Sequence, residues 1–211
     1  MSKFFSREPI DVDFINTKHR RINSKIPCEG SVEILDTLDK YESRSMHGQI
    51  PLVWDKAKDF NIYDKLGNKW IDLTSTIFVT NIGHSNSYLL EKLQNLLKSE
   101  LLHTYAYTNE IRAKYLKKLI EFSPSNFEKA FLLSAGTETT EAALKLMRMN
   151  GQEFHSNKKI GIICFEGNWH GRTMGAQMMG GNINQKEWIG YHDPNIYHIR
   201  FPYPWVLEKE K

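Results

Sequence analysis

The chain has 211 residues, of which 40% are hydrophobic and 25% charged, enough apolar material for a sizeable core and too much for a disordered polymer. Its formal net charge of +3 is spread without a long basic block, which excludes the electrostatic footprint of a nucleic-acid binder. Cys28 and Cys164 lie far apart and match no CxxC or Cys/His spacing, which excludes a disulfide framework and a metal site and fits a reducing compartment.

In chain order, the opening MSKFFSREPIDVDF lacks the apolar stretch of a signal peptide, and no later run approaches a membrane span. The expectation is a cytoplasmic protein that contacts neither membrane nor nucleic acid. Residues up to about 50 read as a polar, irregular arm with one helix from Ser31 to Ser43, where Val32, Leu35, Leu38 and Asp39 recur roughly one turn apart. From Ile50 to Ile77 the rhythm becomes β-like, and the Leu66-Gly67-Asn68 turn separates runs carrying Ile62, Tyr63, Trp70 and Ile71 as in a hairpin. A helix follows with Leu89, Leu90, Leu93, Leu96, Leu97 and Leu101 as a continuous stripe, expected to pack in the core. Asn109 to Phe122 reads as another helix, with Pro124 just beyond its end.

The stretch FLLSAGTETTEAALKLMR, 131 to 148, then breaks an apolar run at Ala-Gly-Thr and restarts as an amphipathic helix. A strand that turns directly into a helix leaves the first helical N–H groups unpaired at the positive end of the dipole, where a phosphate can be held. The expectation is a strand at about 129 to 134, a turn at 135 to 137 and a helix to about 150 stopped by Gly151. A second strand at about 159 to 165, within KKIGIICFEG, would lie in the same parallel sheet. It runs into FEGNWHGRTMGAQMMGG, which gathers Trp169, His170 and Arg172 in a glycine-flanked loop. Strands alternating with helices mean an α/β domain, and ligands of such sheets sit at the carboxyl ends of the strands. There an indole can stack on a flat ring, and an arginine fork can clamp a carboxylate.

Three segments in order carry a resemblance. IYDKLGNKWIDLTSTIFVTNIGH at 62 to 84, SAGTETTEAALKLMR at 134 to 148 and FEGNWHGRT at 165 to 173 resemble signatures of the class III pyridoxal-phosphate aminotransferases, the group of the ornithine, acetylornithine and 4-aminobutyrate enzymes. The resemblance implies the fold type I architecture. Residues 1–78 would be an arm and hairpin belonging to the small domain, and 79–211 an incomplete cofactor-binding large domain with a mainly parallel sheet. It further implies that Ala135, Gly136 and Thr137 hold the phosphate of pyridoxal 5'-phosphate, that Trp169 stacks on its ring and that His170 supports the site. Arg172 would meet a substrate carboxylate and Ile77 would line the substrate pocket.

The implied activity is transfer of an amino group from an amino acid or amine to a 2-oxo acid, in a homodimer whose 103 to 110 segment reaches the neighbouring site. An aminomutase or decarboxylating relative, and a non-catalytic remnant that binds a partner, stand as alternatives. The chain departs from the family pattern at Trp169, commonly Phe or Tyr, at Thr76, often Gly, and at Phe78, often a small residue, so the substrate is less defined than the cofactor. The family's cofactor-bonding lysine and its ring-nitrogen aspartate are expected beyond the arginine loop, in a half this chain lacks, so the fragment alone should be inactive. Lys186, Lys209 and Lys211 do not sit in the matching context, and no catalytic lysine is assigned.

Overall fold

The computed structural model describes residues 5–43, 45, 50–154 and 159–203. They divide into two compact units, Met1–Tyr107 and Thr108–Lys211. Lys209 and Lys211 lie outside the described residues.

The N-terminal unit is built on a five-stranded antiparallel sheet of β1 (Ile15–Asn16), β2 (Arg21–Ile22), β3 (Lys56–Lys58), β4 (Asn61–Tyr63) and β5 (Lys69–Ile71), in the order β1-β2-β5-β4-β3. The expected hairpin is present, with Ile62 opposite Trp70 and Gly67 at φ 77° in the turn. Its Asp and Asn are both fully buried and bonded to each other. Asp64 accepts from the N–H groups of Leu66 and Asn68 at 3.0 Å each, and the Asn68 amide donates to Asp64 at 2.7 Å and to Ser24 at 2.6 Å. The same Asn68 accepts from the N–H of Asn23 at 2.8 Å, and Arg21 donates twice to the carbonyl of Gly67. These bonds draw the N-terminal segment onto the hairpin as β1 and β2, so the expected irregular arm is partly sheet. Two-residue strands are too short to leave a periodicity.

Helix α1 (Ser31–Tyr41) stands where the periodicity placed it. Between sheet and next helix, α2 (Ser75–Phe78) is one left-handed turn. Helix α3 (Ser87–Leu97) begins at Asn86, whose side chain accepts from the N–H of Leu89. The leucine stripe departs from expectation: Leu89, Leu90, Leu93, Leu97 and Leu101 are all exposed. Helical spacing identifies an apolar face, and nothing in spacing says what covers it.

In the C-terminal unit, α4 (Glu110–Phe122) is capped by Asn109, which accepts from the N–H of Arg112 at 2.8 Å. Helix α5 (Gly136–Phe154) follows, then β6 (Ile162–Phe165), α6 (Met174–Met179) and β7 (Ile196–Ile199). β6 and β7 pair in parallel, Ile162 opposite Ile196 through Phe165 opposite Ile199. Ile162, Cys164 and Met179 form the core with Leu144 and Ile196 against them.

Two expectations are corrected here. Residues 129–133 form no strand and share no sheet with β6, because no described residue offers them a ladder partner; Phe131 is 69% exposed. Gly151 does not stop the helix, which runs on to Phe154. A Cβ there would fall 1.9 Å from the carbonyl oxygen of Lys159, so its glycine serves close packing of the returning chain.

Candidate active site

Helix α5 opens at Gly136, and its first described intrahelical bond runs from the N–H of Thr139 to the carbonyl of Ala135 at 3.1 Å. The N–H groups of Gly136, Thr137 and Glu138 therefore have no acceptor within the helix and point out of its positive end. Glu138 folds back so that its carboxylate accepts from the N–H of Ser134 at 2.8 Å, which holds it below the usual carboxylate range. The hydroxyls of Thr139 and Thr140 both donate to the carbonyl of Gly136, at 2.6 and 3.1 Å.

The loop after β6 closes on this turn. At Gly171 φ is 126°, and a Cβ would lie 2.2 Å from the hydroxyl oxygen of Thr137, so the loop backbone rests directly on the Thr137 side chain. The base of the loop is held the same way: a Cβ on Gly181 would lie 2.2 Å from the nitrogen of Gly167, and the Gly181 N–H donates to the carbonyl of Asn168 at 3.1 Å. From this frame Trp169 projects 59% exposed, with the Arg172 guanidinium 5.5 Å from its ring centre. Half-buried His170 is bonded at 2.8 Å to the Asn168 amide, and the buried Asn168 Oδ1 has no protein partner. His170 also lines, with Thr139, Thr140, Ala143 and Cys164, a cavity of about 380 Å³.

The structure thus brings the Ala135 to Thr137 turn and the Trp169, His170 and Arg172 loop together within one unit. Ile77 belongs to the N-terminal unit, where it is 70% exposed. Its turn is bonded to Asp72, whose carboxylate also meets His84 Nε2 at 2.8 Å. Although burial pushes Asp72 up, the Thr74 and His84 bonds hold it far below the usual range.

Three contributors escaped the sequence reading. Glu141 accepts from the Thr173 hydroxyl and from the N–H of Ala176, tying α6 to α5, and Gly175 makes room for it. Lys186 is buried and donates to the carbonyls of Gly180 at 2.7 Å and Met178 at 3.1 Å, which fastens the end of α6; burial pushes its ammonium down. Arg148 and Asp193 pair at 2.5 Å between α5 and the approach to β7. Glu141 and Arg148 lie within the resembling 134 to 148 segment, whereas Lys186 and Asp193 lie outside all three.

A model of the family described as aminotransferase class-III matches residues 42–211. The acetylornithine/succinyldiaminopimelate aminotransferase of Buchnera aphidicola is 31% identical over 173 residues, covering 81% of this chain and 42% of that protein. Among solved structures, ornithine aminotransferase from Toxoplasma gondii ME49 superposes with a TM-score of 0.73 at 20% identity, over 85% of this chain and 42% of that one. The taurine:2-oxoglutarate aminotransferase from Bifidobacterium kashiwanohense, solved with PLP and glutamate, gives 0.71 at 21% identity, over 83% and 39%. These structural likenesses show the fold, that of PLP-dependent transaminases. The chain spans about two fifths of the length of these relatives. The match over residues 42–211 places the chain in the class III aminotransferases, a family of PLP-dependent transaminases.

Proposed function

We propose that this chain supplies the phosphate-holding and substrate-reading part of an aminotransferase that moves an amino group from an amino acid or amine to a 2-oxo acid. The observation that carries the reading is the seating of Gly171 on Thr137, which places the Trp169 loop at the open end of α5. The residues present fit pyridoxal phosphate. Gly136 has no positive φ, and a Cβ there would meet nothing within 4 Å beyond its chain neighbours and the helix's own backbone, so neither backbone strain nor packing against other elements asks for glycine. A Cβ would instead project beside the three N–H groups that lack helical acceptors, where a phosphate oxygen needs to approach.

In this reading Ala135, Gly136 and Thr137 bind and orient the phosphate through the end of α5. Trp169 offers a ring face for stacking, and His170, steadied by Asn168, supports the same side of the site. Arg172 now rests over Trp169 and turns its fork to a substrate carboxylate. Ile77 is assigned to the lining of the substrate pocket. When bound, the cofactor supplies the electron sink that amino-group transfer requires.

The same reading assigns residues 1–78 to a small-domain segment and 79–211 to the cofactor domain of a cytoplasmic homodimer. Buried free thiols at Cys28 and Cys164 support a reducing compartment, and no helix among the described residues is long and apolar enough to cross a membrane. Exposed leucines along α3 support a further apolar contact, and size measurement in solution tests the dimer. The function is tested in the full-length protein by the visible absorbance of bound PLP and by amino transfer to a 2-oxo acid. Cofactor binding with transfer supports the proposal, and a protein that takes up no PLP overturns it.

A further inference from the structure

Asp72 gathers a dense set of hydrogen bonds in the N-terminal unit. Its carboxylate is 4% exposed and accepts from the Thr74 N–H at 2.8 Å, the Thr74 hydroxyl at 2.7 Å, the Thr76 N–H at 3.0 Å and His84 Nε2 at 2.8 Å, with the Thr76 hydroxyl at 3.4 Å. His84 is fixed in turn. Its backbone exchanges hydrogen bonds with Asp59 at 2.9 and 2.6 Å, and its ring meets the Trp54 ring edge-on at 5.8 Å.

What Asp72 grips is strained. Ser75, Thr76, Ile77 and Phe78 have φ of 47°, 53°, 53° and 76°, so four successive residues with side chains occupy the left-handed region. Such residues visit this region reluctantly, and a run of them persists only where the surroundings over-determine it. The turn's own bonds, Phe78 N–H to Thr74 and Val79 N–H to Ser75, cannot choose this hand over the other, since a right-handed turn closes equivalent rings. The contacts to Asp72 select it. The turn presents Ile77 and Phe78, 70% and 77% exposed, and Ile77 borders an apolar groove of about 570 Å³ with Leu52, Trp54, Trp70 and Asp72 itself.

We propose that Asp72 is a positioning residue: by holding the Ser75–Phe78 turn left-handed against His84, it sets where Ile77 and Phe78 stand and thereby which amino-donor side chains the enzyme accepts. This rests on the reading above in which Ile77 lines the substrate pocket. Asp72 acts through the backbone of the turn, whose Thr74 and Thr76 N–H groups it accepts from.

The test uses the full-length protein loaded with PLP in three forms: wild type, Asp72→Asn, and Asp72→Asn combined with Thr76→Gly. Asn keeps the size of Asp72 but loses one acceptor oxygen and the charge, and glycine at 76 makes the left-handed backbone accessible without the clamp. Hydrogen exchange of the 74 to 80 amides, read without substrate, should quicken about tenfold in Asp72→Asn and return toward wild type in the double variant. In kinetics with two amino donors of different side-chain bulk, the ratio of their KM values should change about tenfold in Asp72→Asn, with kcat for the smaller donor kept, and recover in the double variant.

Unchanged exchange in Asp72→Asn overturns the clamp. Faster exchange with an unchanged donor ratio overturns the role in specificity, as does an equal loss for both donors that Thr76→Gly does not relieve. A wild-type protein that neither binds PLP nor transfers amino groups overturns the functional reading and the specificity role with it, and the exchange result then judges the clamp on its own.

Discussion

The two units solve the problem of sheet pairing in opposite ways. In the N-terminal unit β4 and β5 are joined by a tight turn, and the buried Asp64 and Asn68 recruit the preceding segment as β1 and β2, so the sheet assembles from nearby chain. In the C-terminal unit β6 finds its parallel partner only after α6 and two short 3-10 turns, and residues 129–133 find none among the described residues. Antiparallel partners arrive through hairpins and parallel ones through long crossovers, so a parallel sheet depends on distant chain for each added strand. The unit most complete in itself is the one that does not carry the Ala135 to Thr137 turn. The unit that holds that turn leaves apolar chain uncovered beside it.

The largest expected contrast is in hydrogen exchange of the 211-residue chain. Paired amides of β4 and β5 should exchange roughly a thousandfold more slowly than those of 129–133, because only the former need cooperative opening. Equal protection of the two segments would break the comparison; strong protection of 129–133 in the full-length protein alone would sharpen it. Next in size is Asn68→Ala, which strips partners from Asp64, Ser24 and the Asn23 N–H in one step. Urea unfolding should show a loss of about 2–4 kcal/mol, since buried polar groups left unpaired cost their full desolvation. A loss below about 0.5 kcal/mol, ordinary for a surface site, would mean the buried turn does not organise the unit.

At the other unit, Arg172→Lys in the full-length enzyme should weaken carboxylate-bearing substrates by about 1–3 kcal/mol in kcat/KM while sparing simple amines, because a point charge replaces a bidentate fork. Equal losses for both classes would assign Arg172 to loop packing over Trp169. The smallest effect is that of Asp193. Burial pushes its carboxyl up, but the Arg148 bond outweighs this and holds it below its usual value. A folded pKa below the unfolded one stabilises above the ordinary value of about 4, and that contribution is lost as pH falls through it toward the depressed value. Wild type should therefore lose stability relative to Asp193→Asn over that acid window. Parallel pH profiles for the two proteins would contradict the pair's contribution.

The hairpin, α4 and the start of α5 were legible in the sequence because each rests on local chemistry: Gly67 with positive φ, a side-chain cap at Asn109, and a helix begun at Gly136. What was not legible depends on distant chain. An apolar run at 129–133 looks like a strand whether or not a partner exists. Gly151 looks like a stop until Lys159 returns against it, and the α3 leucines look like core until their exposure is seen. At the candidate site the residues were readable, but their assembly was not. Gly171 reveals its reason only when Thr137 lies beneath it, and Thr76 is intelligible only beside its φ of 53° and its bond to Asp72.

The proposal that the open end of α5 cradles a phosphate is tested most directly by the PLP affinity of the full-length protein carrying Gly136→Ala. Apart from its chain neighbours and the helix's own backbone, nothing stands within 4 Å of the added Cβ, so the unfolding midpoint of the cofactor-free protein should not fall. The PLP dissociation constant, read by titrating the visible absorbance, should rise about tenfold or more, because the methyl occupies the approach to the N–H groups of Gly136, Thr137 and Glu138. An unchanged dissociation constant at unchanged stability would contradict the claim and move the phosphate away from this helix.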